Sequence, residues 1–502
     1  SILIMFDSTQ RENRPILGVR HLQVFFLFTC CVLAFQQRIN VSVGIVAMTN
    51  ANSTNPDFPR KKSFILSAIF WGGLFTQLPG GFLSSRYGAK MLLLYSTLST
   101  SLISIVIPFT LAIGGWQIFC VLRLLQGICQ GVMWPCFYSH LAKWCPVEER
   151  NRLGGITQTG MDVGTAIGFA ASGLLAASSI GWPSMFYVPG LLGILWSILW
   201  LIYGANSPQE SKIISMKELK MIQLSQEKNT LESGNAGAAN RPVPPVPWRS
   251  IITSVPYLVL ALCKISQACS FHTLMQQIPT YIHGVFNYDI KINALLSALP
   301  FCFMCLMSYV CLITADILTR SKVASLAVVR KSINTFASWV PAAALLALGF
   351  ISVKNVTGSI SCLVVAVAAI SAQAIGSSLN HIDLAPNYAG LLYGLSDTMM
   401  SIVGILSPIA VSLVVTNEAD RTQWRTIYIT IAVALFLGNL LYIVFGKMET
   451  QPWNDLSNEL VINTKPTNTL VMKTDKQSNG KDHTVPQPTV EEQSAEIFTV
   501  LA

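Results

Sequence analysis

Charged residues are scarce in this chain. Only 11% of its 502 residues are charged, 52% are hydrophobic, and the mean hydropathy is +0.52. In an ordinary soluble domain about 25% of the residues are charged. This composition excludes a soluble globular protein and predicts a chain that crosses a lipid bilayer many times.

Several sequence patterns are also absent. The chain lacks the ~10-residue alternation of a transmembrane β-barrel, and it lacks the ATP-binding sequence GxxxxGKS or GxxxxGKT. Its 12 cysteines lie mainly inside apolar runs, without the spacing of a metal site or a disulfide framework. The apolar runs offer almost none of the carboxylate pairs or histidine clusters that an intramembrane enzyme needs. We therefore predict no cofactor, no ATP-driven transport within this chain and no enzymatic activity.

The hydrophobic residues fall into separate runs of about 20 residues, each long enough to cross ~30 Å of hydrocarbon as a helix. About twelve such runs predict an all-α polytopic membrane protein. One long polar stretch separates six runs from six, as a duplicated transporter requires. The predicted organisation is a cytoplasmic N-terminal segment 1–21, a six-helix half 22–204, a cytoplasmic central loop 205–250, a second six-helix half 251–447 and a disordered cytoplasmic tail 448–502.

The net charge of +9 comes mostly from lysines and arginines in short loops on alternating sides of the runs. This arrangement is a topology signal, so we predict no nucleic-acid partner and place both termini in the cytoplasm. Sequons at Asn52 and Asn355 then fall on the outer side, where they can be glycosylated. The sequence contains no targeting signal that fixes the membrane. The plasma membrane is favoured, with a lysosomal or vesicular membrane as the alternative.

Arg38 interrupts the first apolar run, residues 24–48. A charged side chain at the middle of a bilayer costs ~2.5–3.5 kcal/mol by insertion scales, so it needs a polar cavity or a partner. At ~1.5 Å per residue Arg38 lies ~20 Å from the start of this helix. Because the run contains no acidic residue, an anion-binding site is favoured. The alternative is an arginine paired with a carboxylate or carbonyl groups of another helix.

Several stretches resemble one known family. They are RINVSVGIVAMTN, FWGGLFTQLPGGFLSSRYGAK, LRLLQGICQGVMWP, KWCPVEERNRLGG, GWPSMFYVPGLLGILW, NHIDLAPNYAGLLYG and QPWND. Together they resemble the anion:cation symporter branch of the major facilitator superfamily, which holds the sodium/phosphate cotransporters, sialin and the vesicular glutamate transporters. The similarity is greatest to insect proteins described as inorganic phosphate cotransporters, and it runs from about Arg20 to Asp455. The resemblance implies two six-helix bundles that rock around a central site for a small anionic substrate.

The resemblance also implies site residues. In the vesicular glutamate transporters, arginines on the first and seventh spans line the anion site; the first matches Arg38 and the second aligns with Gln267. The loss of one positive charge favours a smaller or monovalent anion, although a glutamine is often only a packing residue. Arg123, Gln130 and Trp134 share one face of the fourth span. Arg123 lies near its outer end, where the alternative is an arginine that snorkels to the interface.

The prediction of the coupling cation rests on two positions at which this sequence differs from proton-linked relatives. Gln130 stands where those relatives carry a glutamate, and Leu66 stands where the vesicular glutamate carriers have a histidine. Neither side chain titrates, so sodium is favoured over a proton. Oxygen atoms for sodium are available from Asn40, Ser42, Gln130 and Ser270. His272, at a cavity tyrosine position of those carriers, is either a packing residue, a substrate contact or the proton carrier of the competing mechanism.

Charged loop residues resemble the cytoplasmic gating motifs of the family. Their alternative role is a topology signal alone. These residues are Arg86, Lys90, Glu149, Arg150, Arg152, Asp316 and Arg320.

The leading functional prediction is a monomeric secondary active transporter that carries inorganic phosphate or a small organic anion, with sodium, by alternating access. One alternative is a proton-coupled organic anion transporter. Another is a membrane protein that kept the fold and senses an anion without moving it. Uptake into vesicles discriminates between these classes.

Overall fold

The computed structural model describes residues 18–50, 58–232, 246–320, 325–378, 380–385 and 388–454. Its secondary structure is helical throughout these ranges. The first half contains α1 (Val19–Asn50), α2 (Phe58–Tyr87), α3 (Ala89–Gly131), α4 (Met133–Trp144), α5 (Val147–Ala176) and α6 (Ser184–Tyr203). The central segment contains α7 (Met216–Glu232) and α8 (Trp248–Ile252). The second half contains α9 (Val255–Phe286), α10 (Ile290–Arg320), α11 (Leu326–Phe350), α12 (Val356–Ile370), α13 (Asn380–Leu384), α14 (Ala389–Val414) and α15 (Arg421–Phe445).

Ten helical segments of the described chain are long and apolar enough to cross a membrane. One of them, Ala89–Leu111, is the first part of α3, and another, Gly115–Trp144, comprises the rest of α3 together with α4. The two are separated by a break in the helix at Gly115, where φ is 60° and ψ is −151°. The remaining long helices, α2 and α5, have 30 residues each. Their mean hydropathy is lower because glycines and hydroxyl residues replace large hydrophobic ones, but each helix packs closely against neighbouring spans. The all-α fold with about twelve spans is therefore confirmed.

Small residues explain how α2 and α5 fit. A Cβ atom at Gly127 of α3 would collide with the Ile69 carbonyl oxygen of α2, and one at Gly164 of α5 would collide with the Val32 backbone of α1. Without side chains at these points the helix backbones approach closely, as membrane helices do when van der Waals packing drives their association. The glycines that lower the hydropathy of α2 and α5 are thus the residues that hold these helices in the bundle.

The two halves meet mainly along the helix pairs α2 with α14 and α5 with α10, and α1 also contacts α9. In the first pair, Gln77 and Ser401 exchange hydrogen bonds of 3.0 and 3.1 Å. In the second pair, the rings of Phe169 and Phe301 stack with centroids 5.1 Å apart. Near the Asn50 end of α1, Lys62 of α2 forms an ion pair with Glu418 between α14 and α15. The halves are thus joined by contacts that begin at this end and extend into the bundle.

The central segment contains a helix that contacts the start of the first span. The Glu218 carboxylate of α7 accepts hydrogen bonds from the backbone N–H groups of Val19 and Arg20, at 3.0 and 3.1 Å. It also pairs with the buried Arg20 guanidinium at 3.2 Å. Free N–H groups and a favourable helix dipole make a helix N-terminus a good site for a carboxylate. The predicted central loop is therefore partly a structural element that fixes α1.

Some predictions fall on residues outside the described ranges. These are most of the segment 1–21, the sequon residue Asn52 and the tail beyond Asn454. The first tail residues are described, and they pack against the second half: the Gln451 N–H donates to the Leu384 carbonyl oxygen at 2.8 Å, and Trp453 is buried.

A glycosylation test checks the predicted topology. Asn355 is exposed at the start of α12, where its Oδ1 accepts a 2.9 Å hydrogen bond from the Gly358 N–H and its amide nitrogen is left for a glycan. We expect Asn52→Gln to remove a glycosidase-sensitive mass shift, and Asn355→Gln to remove a second one. Protease treatment of intact cells should leave the loop 205–250 uncut. Cleavage in that loop would contradict the topology.

Candidate substrate site between the two halves

Arg38 lies inside the bundle on α1. Its guanidinium carbon is 4.9 Å from the centroid of the Phe70 ring on α2 and 5.4 Å from that of Phe35 on its own helix. Its Nε is buried and has no hydrogen-bond partner in the described structure. Aromatic rings stabilise a cation without using its N–H donors. The arrangement therefore holds a positive charge within the membrane and keeps at least one donor available for an oxyanion.

Arg123, which begins the same helical face as Gln130, is only 2% exposed. Its Nη1 donates to the Gln37 carbonyl oxygen at 3.1 Å and to Gln126 Oε1 at 3.0 Å. Its Nη2 donates to the Arg38 carbonyl oxygen at 3.1 Å. These contacts show a buried arginine that binds the α1 backbone, in place of one that snorkels to the membrane surface. Arg123 thus positions the segment of α1 that carries Arg38.

Gln130 and Trp134 lie about two and three turns further along that face. Gln130 Nε2 donates to the Ala34 carbonyl oxygen at 3.4 Å. The half-buried Trp134 ring meets the Phe35 ring edge to face, with centroids 6.4 Å apart. Both side chains therefore contact the turn of α1 that precedes Arg38. Their predicted contact with substrate stays a prediction, but the structure does bring them close to the Arg38 site.

Gln267 occupies a different environment. Its Nε2 donates to Asn334 Oδ1 at 2.9 Å and to Ser338 Oγ at 3.2 Å. Its Oε1 accepts a 3.0 Å hydrogen bond from Ser377 Oγ. The amide of this residue, which is 2% exposed, is used in packing α9 against α11 and the π-helical turn Ala374–Ser378. These contacts favour the packing alternative over a substrate contact.

His272 lies close to the Arg38 site. Its ring and the Phe70 ring meet edge to face with centroids 4.9 Å apart, so His272 and Arg38 both contact Phe70. The His272 Nδ1 is buried and has no hydrogen-bond partner in the described structure. The role of His272 as a packing residue, a substrate contact or a proton carrier stays a prediction.

The predicted sodium ligands do not form a visible cluster. Asn40 Nδ2 donates to the Met185 carbonyl oxygen of α6 at 3.1 Å, on a different side of α1 from Phe70. Ser42 is 3% exposed, and the buried Ser270 Oγ on α9 has no partner among the described residues. No contact in the described structure joins these side chains to each other. Their role as cation ligands therefore also stays a prediction.

Two charged residues in the second half escaped the sequence analysis. Lys264 of α9 is 4% exposed, and its Nζ donates to Ser378 Oγ at 2.6 Å. Asp397 of α14 is partly buried and lies one turn before Ser401, which bonds α2. Each is a single charged residue inside an apolar run, which is the signal that identified Arg38. The same criterion, applied to every span, would have found both.

A third buried ionisable residue, Asp162, lies at the contact between α5 and α10. Asp162 of α5 is 5% exposed, and its Oδ2 accepts a 2.9 Å hydrogen bond from Ser308 Oγ of α10. Its Oδ1 has no partner in the described structure. The groups that face it from neighbouring helices are the thiols of Cys31 and Cys305.

Three of the predicted gating residues make contacts within the first half. Glu149 pairs with Arg20 at 2.9 Å, and Lys90 Nζ donates to the Leu201 carbonyl oxygen at 3.1 Å. Arg86 is exposed and stacks on Tyr87, with 5.7 Å from its guanidinium carbon to the ring centroid. Arg152 is exposed, and the side chains of Arg150, Asp316 and Arg320 lie outside the described part. Gating by these residues stays a prediction.

Comparison with known proteins now identifies the class. The family model of the Major Facilitator Superfamily matches residues 25–408, so the chain belongs to this superfamily. The crystal structure of a D-xylose-proton symporter has the same fold, with a TM-score of 0.65 at 14% identity over 85% of this chain and 99% of that one. The chain is thus a transporter of the major facilitator type and not an enzyme.

Proteins with similar sequences indicate the branch of the superfamily to which the chain is related. The chain is 30% identical over 481 residues to a Drosophila melanogaster protein named "Putative inorganic phosphate cotransporter", covering 90% of this chain and 89% of the relative. It is 32% identical over 438 residues to vesicular glutamate transporter 2 of Mus musculus, covering 84% and 73%. It is 30% identical over 479 residues to human sialin, covering 89% and 93%. These relatives confirm the resemblance to the anion:cation symporter branch.

Proposed function

We propose that this chain carries inorganic phosphate or a small organic anion across the plasma membrane together with a cation. The observation that supports this proposal most strongly is the Arg38 guanidinium, held inside the bundle between Phe35 and Phe70 with its Nε unpartnered. Buried donors of this kind are costly unless a ligand satisfies them. An oxyanion with planar or tetrahedral oxygens matches the fork of a guanidinium. Relatives whose names refer to inorganic phosphate and to glutamate support the same substrate class.

Alternating access supplies the mechanism. The ion pair of Lys62 with Glu418 and the hydrogen bonds of Gln77 with Ser401 join the halves from the Asn50 end of α1 inward. Movement of anion requires these contacts to break while others form at the opposite end. A bound anion and cation then shift the population between two packings of the same helices. One chain contains both halves and the whole site, so we propose that the monomer is the transporting unit.

Sodium is the proposed coupling cation. The support is the absence of a titratable side chain at Gln130 and Leu66, where proton-linked relatives of the family carry one. The specific observation in favour of the alternative, a proton-coupled carrier, is the presence of carboxylates inside the bundle, because a carboxylate can hold either cation. His272, beside Phe70, is a second candidate for a proton.

Uptake measurements in proteoliposomes separate the two cations. We expect labelled phosphate uptake at fixed pH to fall to background when choline replaces sodium, because choline cannot enter an oxygen-lined site. A pH gradient at fixed sodium should change uptake little. Liposomes without protein and liposomes with Arg38→Ala provide the background. Dependence on the pH gradient alone, lost in His272→Phe, would refute sodium coupling and support the proton alternative.

A further inference from the structure

We propose that Asp397 and Lys264 complete the substrate site with Arg38, and that Asp397 binds the coupling cation and so sets how much negative charge the transported anion carries. This proposal rests on the proposed function. It goes beyond it by assigning the coupling to one carboxylate and the second positive charge to one lysine.

The direction in which Asp397 points follows from its neighbours on α14. Residues four apart lie on one face of a helix. Four residues before Asp397, the Tyr393 ring meets the Tyr138 ring of α4 with centroids 6.2 Å apart. Four residues after it, Ser401 bonds Gln77 of α2. Asp397 therefore faces the first half between two contacts that cross the interface, and the positive charge acting on it from that half is Arg38.

Lys264 is a positively charged residue of the second half. It lies one turn before Gln267, and Gln267 uses its amide entirely in packing. The Lys264 ammonium has a hydroxyl partner, Ser378, and forms no ion pair within 4.0 Å among the described residues. A buried ammonium needs a nearby negative charge.

Asp397 lies on α14 at about the same depth as Lys264 on α9. The Tyr257 hydroxyl of α9 donates to the Leu392 carbonyl oxygen of α14 at 3.5 Å on one side of this level, and Thr273 bonds Ser407 at 2.6 Å on the other. The Asp397 carboxylate is thus the negative charge that acts on the Lys264 ammonium.

Asp397 thus lies between two positively charged side chains, one from each half. The charged or titratable groups that face it are Arg38 of α1, Lys264 of α9, and the phenols of Tyr138 on α4 and Tyr393 on its own helix. With Asp397 ionised, Arg38, Lys264 and Asp397 together carry one positive charge, to which the buried Arg123 beside Arg38 adds from further away. A cation held by Asp397 raises the total by one, so it strengthens the binding of a divalent anion more than that of a monovalent one.

A divalent anion needs a second positive charge. Uncompensated charge is expensive in the low dielectric of a membrane, so the site should bind a divalent anion only when Asp397 also holds a sodium ion or a proton. Anion and cation would then cross together, which is the definition of symport. The substrate class is a small oxyanion such as phosphate, whose two common forms carry one and two negative charges.

Counterflow and gradient-driven uptake test this assignment in proteoliposomes with labelled phosphate. Asp397→Asn keeps the shape of the side chain but removes the charge that a cation must neutralise. We expect this variant to retain counterflow, which needs a gradient of phosphate but no gradient of the coupling cation, and to lose accumulation driven by a sodium or proton gradient. Lys264→Gln should raise KM for phosphate roughly tenfold or more, because it removes a charge-assisted contact. The double variant Lys264→Gln with Asp397→Asn should recover counterflow relative to Lys264→Gln alone.

Asp162→Asn is the matched comparison, since Asp162 is also a buried carboxylate between the halves but faces thiols and a hydroxyl. We expect its gradient-driven accumulation to remain. Accumulation that persists in Asp397→Asn, or that is lost only in Asp162→Asn, would overturn the proposal. If Asp397→Asn also loses counterflow, recovery in the double variant supports the proposal and no recovery overturns it. Failure of wild-type counterflow would instead reject the proposed function.

Discussion

Replacement of Arg38 by alanine is expected to abolish anion uptake while the protein still reaches the membrane. The change removes a positive charge and hydrogen-bond donors that face the interface of the two halves beside Phe70. It does not remove a structural contact of the same size, because the Arg38 side chain stacks on rings and its Nε bonds no protein group in the described structure. Function should therefore suffer far more than folding.

Lysine at the same position should restore little activity. A compact ammonium keeps the charge but cannot present two parallel N–H groups to an oxyanion. Uptake of labelled phosphate, normalised to surface-biotinylated protein, measures both variants. Arg249→Ala, which removes an exposed arginine of α8, is the matched control and should behave like wild type. Near-normal uptake by Arg38→Ala would reject the assignment of this arginine to the anion site.

Replacement of Arg123 by alanine is expected to lower both stability and transport. Its guanidinium makes three hydrogen bonds, two of them to backbone carbonyl groups at Gln37 and Arg38. Hydrogen bonds from charged groups contribute about 1.5–3 kcal/mol each, and loss of the donor leaves buried acceptors unsatisfied. Relief of the cost of burying the arginine offsets part of this. We expect a net loss of roughly 3 kcal/mol in the free energy of unfolding.

Thermal unfolding in detergent, followed by size-exclusion chromatography, should show the loss of stability in Arg123→Ala. The surviving protein should transport with a raised KM, because the turn of α1 that carries Arg38 is no longer fixed. Arg123→Lys, which keeps the charge and some of the hydrogen bonds, should lie between alanine and wild type. A melting temperature and KM equal to wild type for Arg123→Ala would show that these contacts do not position α1.

Much of the fold could be predicted because a membrane helix is recognised from the hydropathy of its own ~20 residues. Hydropathy gives the length and number of spans, and Arg38 stands out as a charge that an apolar run should not contain. The packing of α2 and α5 was less visible, because their glycines lower the hydropathy while they hold the helices in place. The composition of one span does not show which neighbouring helix packs against a given glycine.

The candidate site was harder to predict, because it depends on contacts between distant spans. Arg123 was placed near the outer end of its span, but the helix breaks at Gly115, and eight residues of helix carry Arg123 ~12 Å inward. Gln267 aligned with an arginine of relatives, yet its amide is used in packing and the nearby charge is Lys264. The position of a side chain around the helix, which decides such cases, follows from tertiary packing.

Counterflow in proteoliposomes tests most directly whether this protein carries an anion through the Arg38 site. Vesicles preloaded with unlabelled phosphate, or with one of a panel of small organic anions, are diluted into a trace of labelled phosphate. We expect wild-type vesicles to accumulate label transiently above equilibrium, and vesicles with Arg38→Ala to match protein-free ones. If wild-type protein instead binds labelled phosphate but shows no counterflow with any anion, it senses an anion without transporting it.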